Sequence, residues 1–151
     1  MGHKVVCTNR KARHLYAIEE IYEAGIALTG PEVKSLRAGR GTLGDAYGMI
    51  RDGEAFLFNA HISPYSHADT RVYDPNRTRR LLLHKEEIRR LLGKTRERGL
   101  TLVPLQIYFK NGRAKVELGL GRGKKLYDKR ETIKRREADR EMARVKKGKR
   151  E

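Results

Sequence analysis

The sequence predicts a mainly β fold: a small closed antiparallel β-barrel with flanking helices, followed by a basic C-terminal tail. Two turn signatures and one change of composition carry this reading. Asp52-Gly53 and Asn111-Gly112 each separate two short runs of alternating apolar residues, and both pairs suit a tight type I′ hairpin turn. Beyond Gly123 there is little left to bury. Residues 121–151 hold 14 Lys and Arg against 6 Asp and Glu, half of the net charge of +16. The chain of 151 residues therefore divides into a domain over 1–123 and a basic tail over 124–151.

Taken in order, Val5 and Val6 open a short strand. Thr8 to His14 is polar and basic, with Asn9 as a turn former. Leu15 to Leu28 is ambiguous. Leu15, Ile18, Tyr22 and Ile26 sit at helical spacing, yet Tyr16, Ile18, Glu20 and Tyr22 also alternate, with Ile21 breaking the alternation as a bulge would. Pattern alone slightly favours helix here, although Gly25 weakens one. Gly30-Pro31-Glu32 starts a helix, with Glu32 near the positive end of its dipole and Val33 and Leu36 as its apolar edge. Gly39 and Gly41 stop it. Lys34, Arg37 and Arg40 line one side.

Ala46 to Arg51 and Glu54 to Ile62 form the first hairpin, with Phe56 and Phe58 facing one way and Ala55 and Leu57 the other. Ser63 to Arg80 reads as a long loop made basic by Arg71, Arg77, Arg79 and Arg80. A helix follows over 85–98, with Ile88, Leu91, Leu92 and Thr95 inward and Gly99 ending it. In the second hairpin Val103, Leu105, Ile107 and Phe109 alternate, and Ala114, Val116, Leu118 and Leu120 return. Pro104 marks a strand beginning at an edge. Gly119, Gly121 and Gly123 read as a pliable exit into the tail. Tail residues Ile133, Ala138, Met142 and Val145 make only a thin apolar stripe, too little to offset ordering entropy. The tail is thus expected to be disordered alone and helical against a partner.

Charge narrows the function. An excess of +16 favours a polyanionic partner, because each phosphate neutralised releases condensed counterions. Among small barrels the oligonucleotide-binding (OB) type best suits such a surface. The one cysteine, Cys7, supports neither a disulfide framework nor a cysteine-rich zinc site, which fits a reducing cytoplasm. No apolar run approaches the ~20 residues that span a bilayer. The five histidines show no ligand spacing, and there is no phosphate-cradling glycine loop or nucleophile elbow. Glu19, Glu20, Glu23 and His14 are the only candidates for catalysis, without a cleft to recommend them. We therefore expect no enzyme, no metal and no cofactor. Tyr16, Tyr65, Tyr73, Tyr108 and Tyr127 could stack on bases, Tyr127 above all because Lys124, Lys125, Lys129 and Arg130 surround it.

Four stretches in series resemble one family. They are Asn9-Arg10-Lys11-Ala12-Arg13-His14; Glu23-Ala24-Gly25-Ile26-Ala27-Leu28 with Gly30-x-Glu32-Val33-Lys34-Ser35-Leu36-Arg37; Arg51-Asp52-Gly53-Glu54-Ala55-Phe56-Leu57; and Gly123-Lys124-Lys125-x-Tyr127-Asp128-Lys129-Arg130 with Ile133-Lys134. Together they look like small protein B, the family of SsrA-binding proteins of bacterial trans-translation. The resemblance covers nearly the whole chain.

It implies an OB-type barrel with helices outside, and it turns Leu15 to Leu28 into strand. It implies transfer-messenger RNA (tmRNA, the SsrA RNA) as partner, held at its tRNA-like domain, and stalled ribosomes as the destination. Residue by residue, it implies a barrel RNA face of Asn9, Glu23, Leu82 and Lys115, supported by Lys11, Arg13, His14, Lys34 and Arg37. Glu23 would accept from a base amino group or hold a neighbouring Arg. In the tail it implies a decoding-centre and mRNA-channel set of Lys124, Lys125, Tyr127, Asp128, Lys129, Arg130, Ile133 and Lys134. Many relatives have His where this chain has Tyr127, a change that keeps stacking and loses any protonated imidazole. The chain is expected to be a cytoplasmic monomer when free. A basic structural ribosomal protein is the alternative reading, and a small RNA-processing enzyme a third.

Overall fold

The computed structural model describes residues 3–64, 74–97 and 99–124. Most of the predicted tail and the middle of the predicted loop, with Tyr65, Arg71, Tyr73 and Tyr127, lie outside the described residues. The chain runs β1 (His3–Thr8), α1 (Ala12–Leu15), β2 (Tyr16–Ile26), α2 (Gly30–Arg37), β3 (Gly41–Thr42), β4 (Tyr47–Arg51), β5 (Glu54–Phe58), β6 (His61–Ile62), β7 (Arg79–Leu82), α3 (Lys85–Thr95), β8 (Leu100–Lys110) and β9 (Arg113–Gly123). Strands β8, β4, β5, β7, β2 and β9 follow one another in an antiparallel ring, which β9 closes by pairing back onto β8. β1 hangs on the outside of β8, and β3 pairs with β6 in a small separate sheet. The architecture is mainly β, as the alternating runs predict.

Both hairpin turns form where the sequence places them. Asp52 and Gly53 have φ of 52° and 75°, and Asn111 and Gly112 have 51° and 79°, the left-handed backbone of type I′ turns. Segment 15–28, helical by a slight margin of pattern, is strand from Tyr16 to Ile26. Its register with β9 runs from Tyr16↔Gly123 to Gly25↔Lys115. Nine residues paired with β9 outweigh a weak local helical preference. The bulge falls between Ile18 and Glu20, not at Ile21, which points outward and is 53% exposed.

Four further expectations are corrected. Pro104 lies inside β8, beside a register shift between Pro104 and Gln106, and the strand begins earlier at Leu100. A proline is tolerated there because its carbonyl accepts from Asn9 on the β1 side, where the β1 ladder has already ended at Gln106, while its β9 neighbour is Leu118 on the other side. The predicted loop gives up Arg79 and Arg80 to β7, which pairs with both β5 and β2. Gly119 and Gly121 are not a pliable exit but buried parts of β9. A Cβ at Gly119 would lie 3.1 Å from the Ile18 side chain, and one at Gly121 would lie 3.0 Å from it, so these glycines let β2 lie close. Helix α3 ends at Thr95, short of the predicted 98, where the Thr95 hydroxyl donates back to the Leu91 carbonyl at 2.7 Å.

The ring encloses Ala24, Ala55, Leu57, Leu81, Ile107, Val116 and Leu118. Leu91 of α3 covers Leu100, Leu102 and Leu120, while Ala12 of α1 covers Val103 and Leu105. Helix α2 adds Leu36 and is fixed by charge as well. Thr29 and Glu32 form a reciprocal capping box at its start. The Glu32 carboxylate also accepts from Arg79 Nε at 2.6 Å and from Arg77 Nη2 at 2.6 Å. Arg79, with no exposed surface, donates onward to the carbonyls of Ala60 (2.7 Å) and Pro75 (3.0 Å). Burial alone would raise the Glu32 pKa; hydrogen bonds from Arg77, Thr29 and Arg79 outweigh it and leave the pKa below its ordinary 4.5.

Removing one partner of such a pair strands a buried charge, a cost of about 3–5 kcal/mol. Arg79→Met is expected to lower unfolding stability by about that amount in urea titrations. A loss under about 1 kcal/mol would mean the network is not what holds α2. The sign of the pH effect follows from the lowered Glu32 pKa. Its contribution is complete above pH 4.5 and drains away as pH falls through the lower folded value. The acid limb of the stability curve should therefore be shallower in Arg79→Met than in the wild type.

Candidate nucleic-acid interface

Neighbouring strands bring Glu23, Leu82 and Lys115 to one place. Gly25 of β2 sits opposite Leu82 of β7 on one side and Lys115 of β9 on the other. Leu82 lies over Gly25, where an added Cβ would meet the Leu82 Cβ at 3.2 Å, and Leu82 remains 49% exposed. The three residues line an open hollow of about 550 Å³ with Ile26, Val33 and Phe109. An exposed leucine beside a cation and a carboxylate offers an apolar surface for a base or sugar, a charge for phosphate, and an acceptor for a base amino group.

Glu23 is held in place. It accepts from the Tyr108 hydroxyl in a short contact and from Lys110 Nζ at 3.4 Å. The Tyr108 hydrogen bond chiefly, and Lys110 after it, hold its pKa below the ordinary carboxylate value. Burial, followed by the Glu23 hydrogen bond, raises the Tyr108 pKa. The cation beside Glu23 is therefore a lysine rather than the arginine anticipated as one option. Tyr108 is 3% exposed and its ring stacks on His3 at 4.2 Å, so it braces Glu23 and presents no free face to a base.

The other described sequence-derived residues divide between the wall of this hollow and a second group on or beside α1. Arg37, exposed on α2, lies over the Phe109 ring at 5.1 Å, which ties it to the hollow's wall. Lys34 is exposed on the same helix. Lys11, Arg13 and His14 are exposed on or beside α1. Arg13 pairs with Glu117 at 3.7 Å, and its carbonyl accepts from Lys124 Nζ at 3.1 Å. Arg13 of this second group lines a separate hollow with Asn9, Arg10 and Gln106. Asn9 faces inward, 9% exposed, and its amide donates to the carbonyls of Pro104 (3.0 Å) and Leu43 (3.3 Å). In this structure its amide nitrogen ties β8 to the segment before β4. Lys125, Tyr127, Asp128, Lys129, Arg130, Ile133 and Lys134 lie outside the described residues.

Of the tyrosines named from sequence, Tyr16 packs beside Ala12, Val103 and Leu105. Among the described residues, Tyr47 of β4 is exposed instead, beside the half-buried Phe56 and Phe58 of β5. The alternation of Phe56 and Phe58 was a signal for a shared face, but not for which face meets solvent. Among the described residues, no group of three or more His, Cys, Asp or Glu could hold a metal ion. No helix there is long and apolar enough to cross a membrane.

The bracing of Glu23 can be checked by carboxylate NMR. Glu23 should titrate below 4.5 in the wild type, and Tyr108→Phe should raise its midpoint by removing the chief donor. An unchanged midpoint would show that the hydroxyl does not reach the carboxylate.

A family model described as SmpB protein matches residues 6–148. The SsrA-binding protein of Desulforudis audaxviator is 60% identical over 146 residues, covering 97% of this chain and 95% of that one. The SsrA-binding protein of Geobacter metallireducens is 57% identical over 143 residues, covering 95% and 94%. A chain in the solved structure "tmRNA-SmpB: a journey to the center of the bacterial ribosome" superposes with a TM-score of 0.66 at 57% identity, over 78% of this chain and 82% of that one. With matches of this extent on top of the ring and its hollow, the chain belongs to the SmpB protein family.

Proposed function

We propose that this protein binds the tRNA-like domain of tmRNA through its folded part and delivers that RNA to stalled ribosomes for trans-translation. The observation that carries the reading is the convergence of Glu23, Leu82 and Lys115 in one hollow from three different strands. These are residues that family resemblance alone assigns to RNA, and nothing in their sequence spacing brings them together. Arg37, over the Phe109 ring, brings exposed positive charge to the wall of that hollow, and Lys34 is exposed on the same helix, while Lys11, Arg13 and His14 form a second exposed group on or beside α1. Relatives named SsrA-binding protein, and a solved complex named for tmRNA and the ribosome, support the same partners.

The reading divides the work. Residues 1–123 grip the RNA, and residues 124–151 enter the decoding centre and the empty mRNA channel, with Tyr127, Asp128, Lys129 and Arg130 at the decoding centre. Asn9 contributes through the loop it holds. The protein acts in the cytoplasm by binding rather than by catalysis. The acids that might serve a reaction are engaged otherwise: Glu19 accepts from Arg122 at 3.2 Å, Glu20 from Arg90 at 2.9 Å, and Glu23 from Tyr108 and Lys110.

Deleting the residues after Leu126 is expected to leave affinity for the SsrA transcript within about tenfold, or ~1.4 kcal/mol, while abolishing peptide tagging in a reconstituted translation system. A larger loss of affinity would contradict the division of labour. Binding of the full chain should weaken steeply as salt rises, and a flat response would contradict phosphate contact.

A further inference from the structure

The outward face of the β4–β5 hairpin is unusually aromatic. Tyr47 is 39% exposed and Met49 38%, and across from them on β5 stand Phe58 and Phe56. The Tyr47 and Phe58 rings stack at 5.2 Å with 10° between their planes, and Phe56 leans on Phe58 at 6.5 Å. The core takes the smaller side of the same strand, Ala55 and Leu57. Apolar rings gathered outside a small domain mark a surface meant to be covered.

Register shows where this face leads. Phe56 sits opposite Arg80, and Leu82 follows two residues on along β7, on the same face. Leu82 sits opposite Gly25, and Gly25 opposite Lys115. One outward row thus runs from the hairpin aromatics, across Arg80 and Leu82, into the hollow where Lys115 and Glu23 lie. Arg51 and Arg80 are exposed beside the rings, and Arg80 shares its charge with Glu54 at 3.3 Å.

We propose that the aromatic face is a second contact for the RNA held in the hollow, with unpaired bases stacking on Tyr47, Phe56 and Phe58 while Arg51 and Arg80 meet phosphates. The proposal rests on reading the hollow as an RNA site. Continuity with that site, a rim of arginines and a net charge of +16 favour a polyanion with π faces over an apolar protein partner. Such stacking tolerates sequence, so it would grip exposed nucleotides of a structured RNA without reading them.

The test uses the full chain and a Tyr47→Leu/Phe58→Leu double variant, which keeps apolar bulk and removes two π faces. Circular dichroism melts establish that it folds. The probes are the SsrA transcript, followed by anisotropy, and a single-stranded oligonucleotide containing 2-aminopurine. The double variant is expected to bind the transcript about tenfold more weakly, with an unchanged salt slope, and to lose 2-aminopurine quenching. Equal affinity with equal quenching overturns the proposal.

A second measurement needs no substitution. The transcript with 5-iodouridine in its unpaired segments, irradiated with wild-type protein, should crosslink to Tyr47, Phe56 or Phe58, and crosslinks confined to other residues overturn the proposal. A wild type that ignores the transcript sinks the RNA reading itself, whereas tight binding indifferent to the double variant sinks only the aromatic extension. Wild-type dimerisation that the double variant abolishes would assign the face to a second copy of the chain, and so also overturn the proposal.

Discussion

Glu32 and Arg79 meet at 2.6 Å with 2% and none of their side-chain surface open to solvent. Desolvating two charges costs several kcal/mol each, so this contact has no obvious claim to raise net stability. What it does is remove alternatives. Any arrangement that parts the pair leaves a bare ion in a low-dielectric interior. The same carboxylate caps α2 through the Thr29 N–H at 2.9 Å, and the same guanidinium binds the Ala60 and Pro75 carbonyls. One ion pair therefore sets where α2 begins, where the chain leaves β5 and where β7 enters the ring. Lys34 and Arg37 ride on α2, and Arg80 and Leu82 on β7, so the positions of the surface cations and of the exposed leucine follow from it.

The outer surface shows a second constraint, charge partition. Acids on β2 and β9 are each engaged by a neighbouring cation: Glu19 by Arg122, Glu20 by Arg90, Glu23 by Lys110 and Glu117 by Arg13. Exposed pairs of this kind contribute little to stability. Their effect is to keep bare carboxylates from clustering where the proposed RNA would approach. Glu23 shows how an acid can sit within a basic face: Tyr108 and Lys110 offset its charge and aim it, leaving its other lone pairs as acceptors.

Packing and the proposed RNA site share residues. Phe109 faces the core cluster with Leu36 and Ile107, yet its ring also carries the Arg37 guanidinium and lines the hollow. Leu82 covers Gly25 while keeping half its surface open. A surface built on paired strands moves less than one carried by loops, which suits the folded RNA proposed as its ligand.

Local physics was legible in the sequence. The Asp52-Gly53 and Asn111-Gly112 turns, the start of α2 at Gly30 and the excess of positive charge all follow from backbone preference or composition, which need only neighbours along the chain. Tertiary structure decided what depends on partners far away. Segment 16–26 became strand because β9 lies beside it. Arg79 left a basic loop for the interior because Glu32, 47 residues earlier, awaits it. Asn9 turned inward to carbonyls 34 and 95 residues distant. Phe56 and Phe58 went outside because the ring had room for Ala55 and Leu57. Alternation marks two faces of a strand, but only long-range pairing chooses which of them water sees.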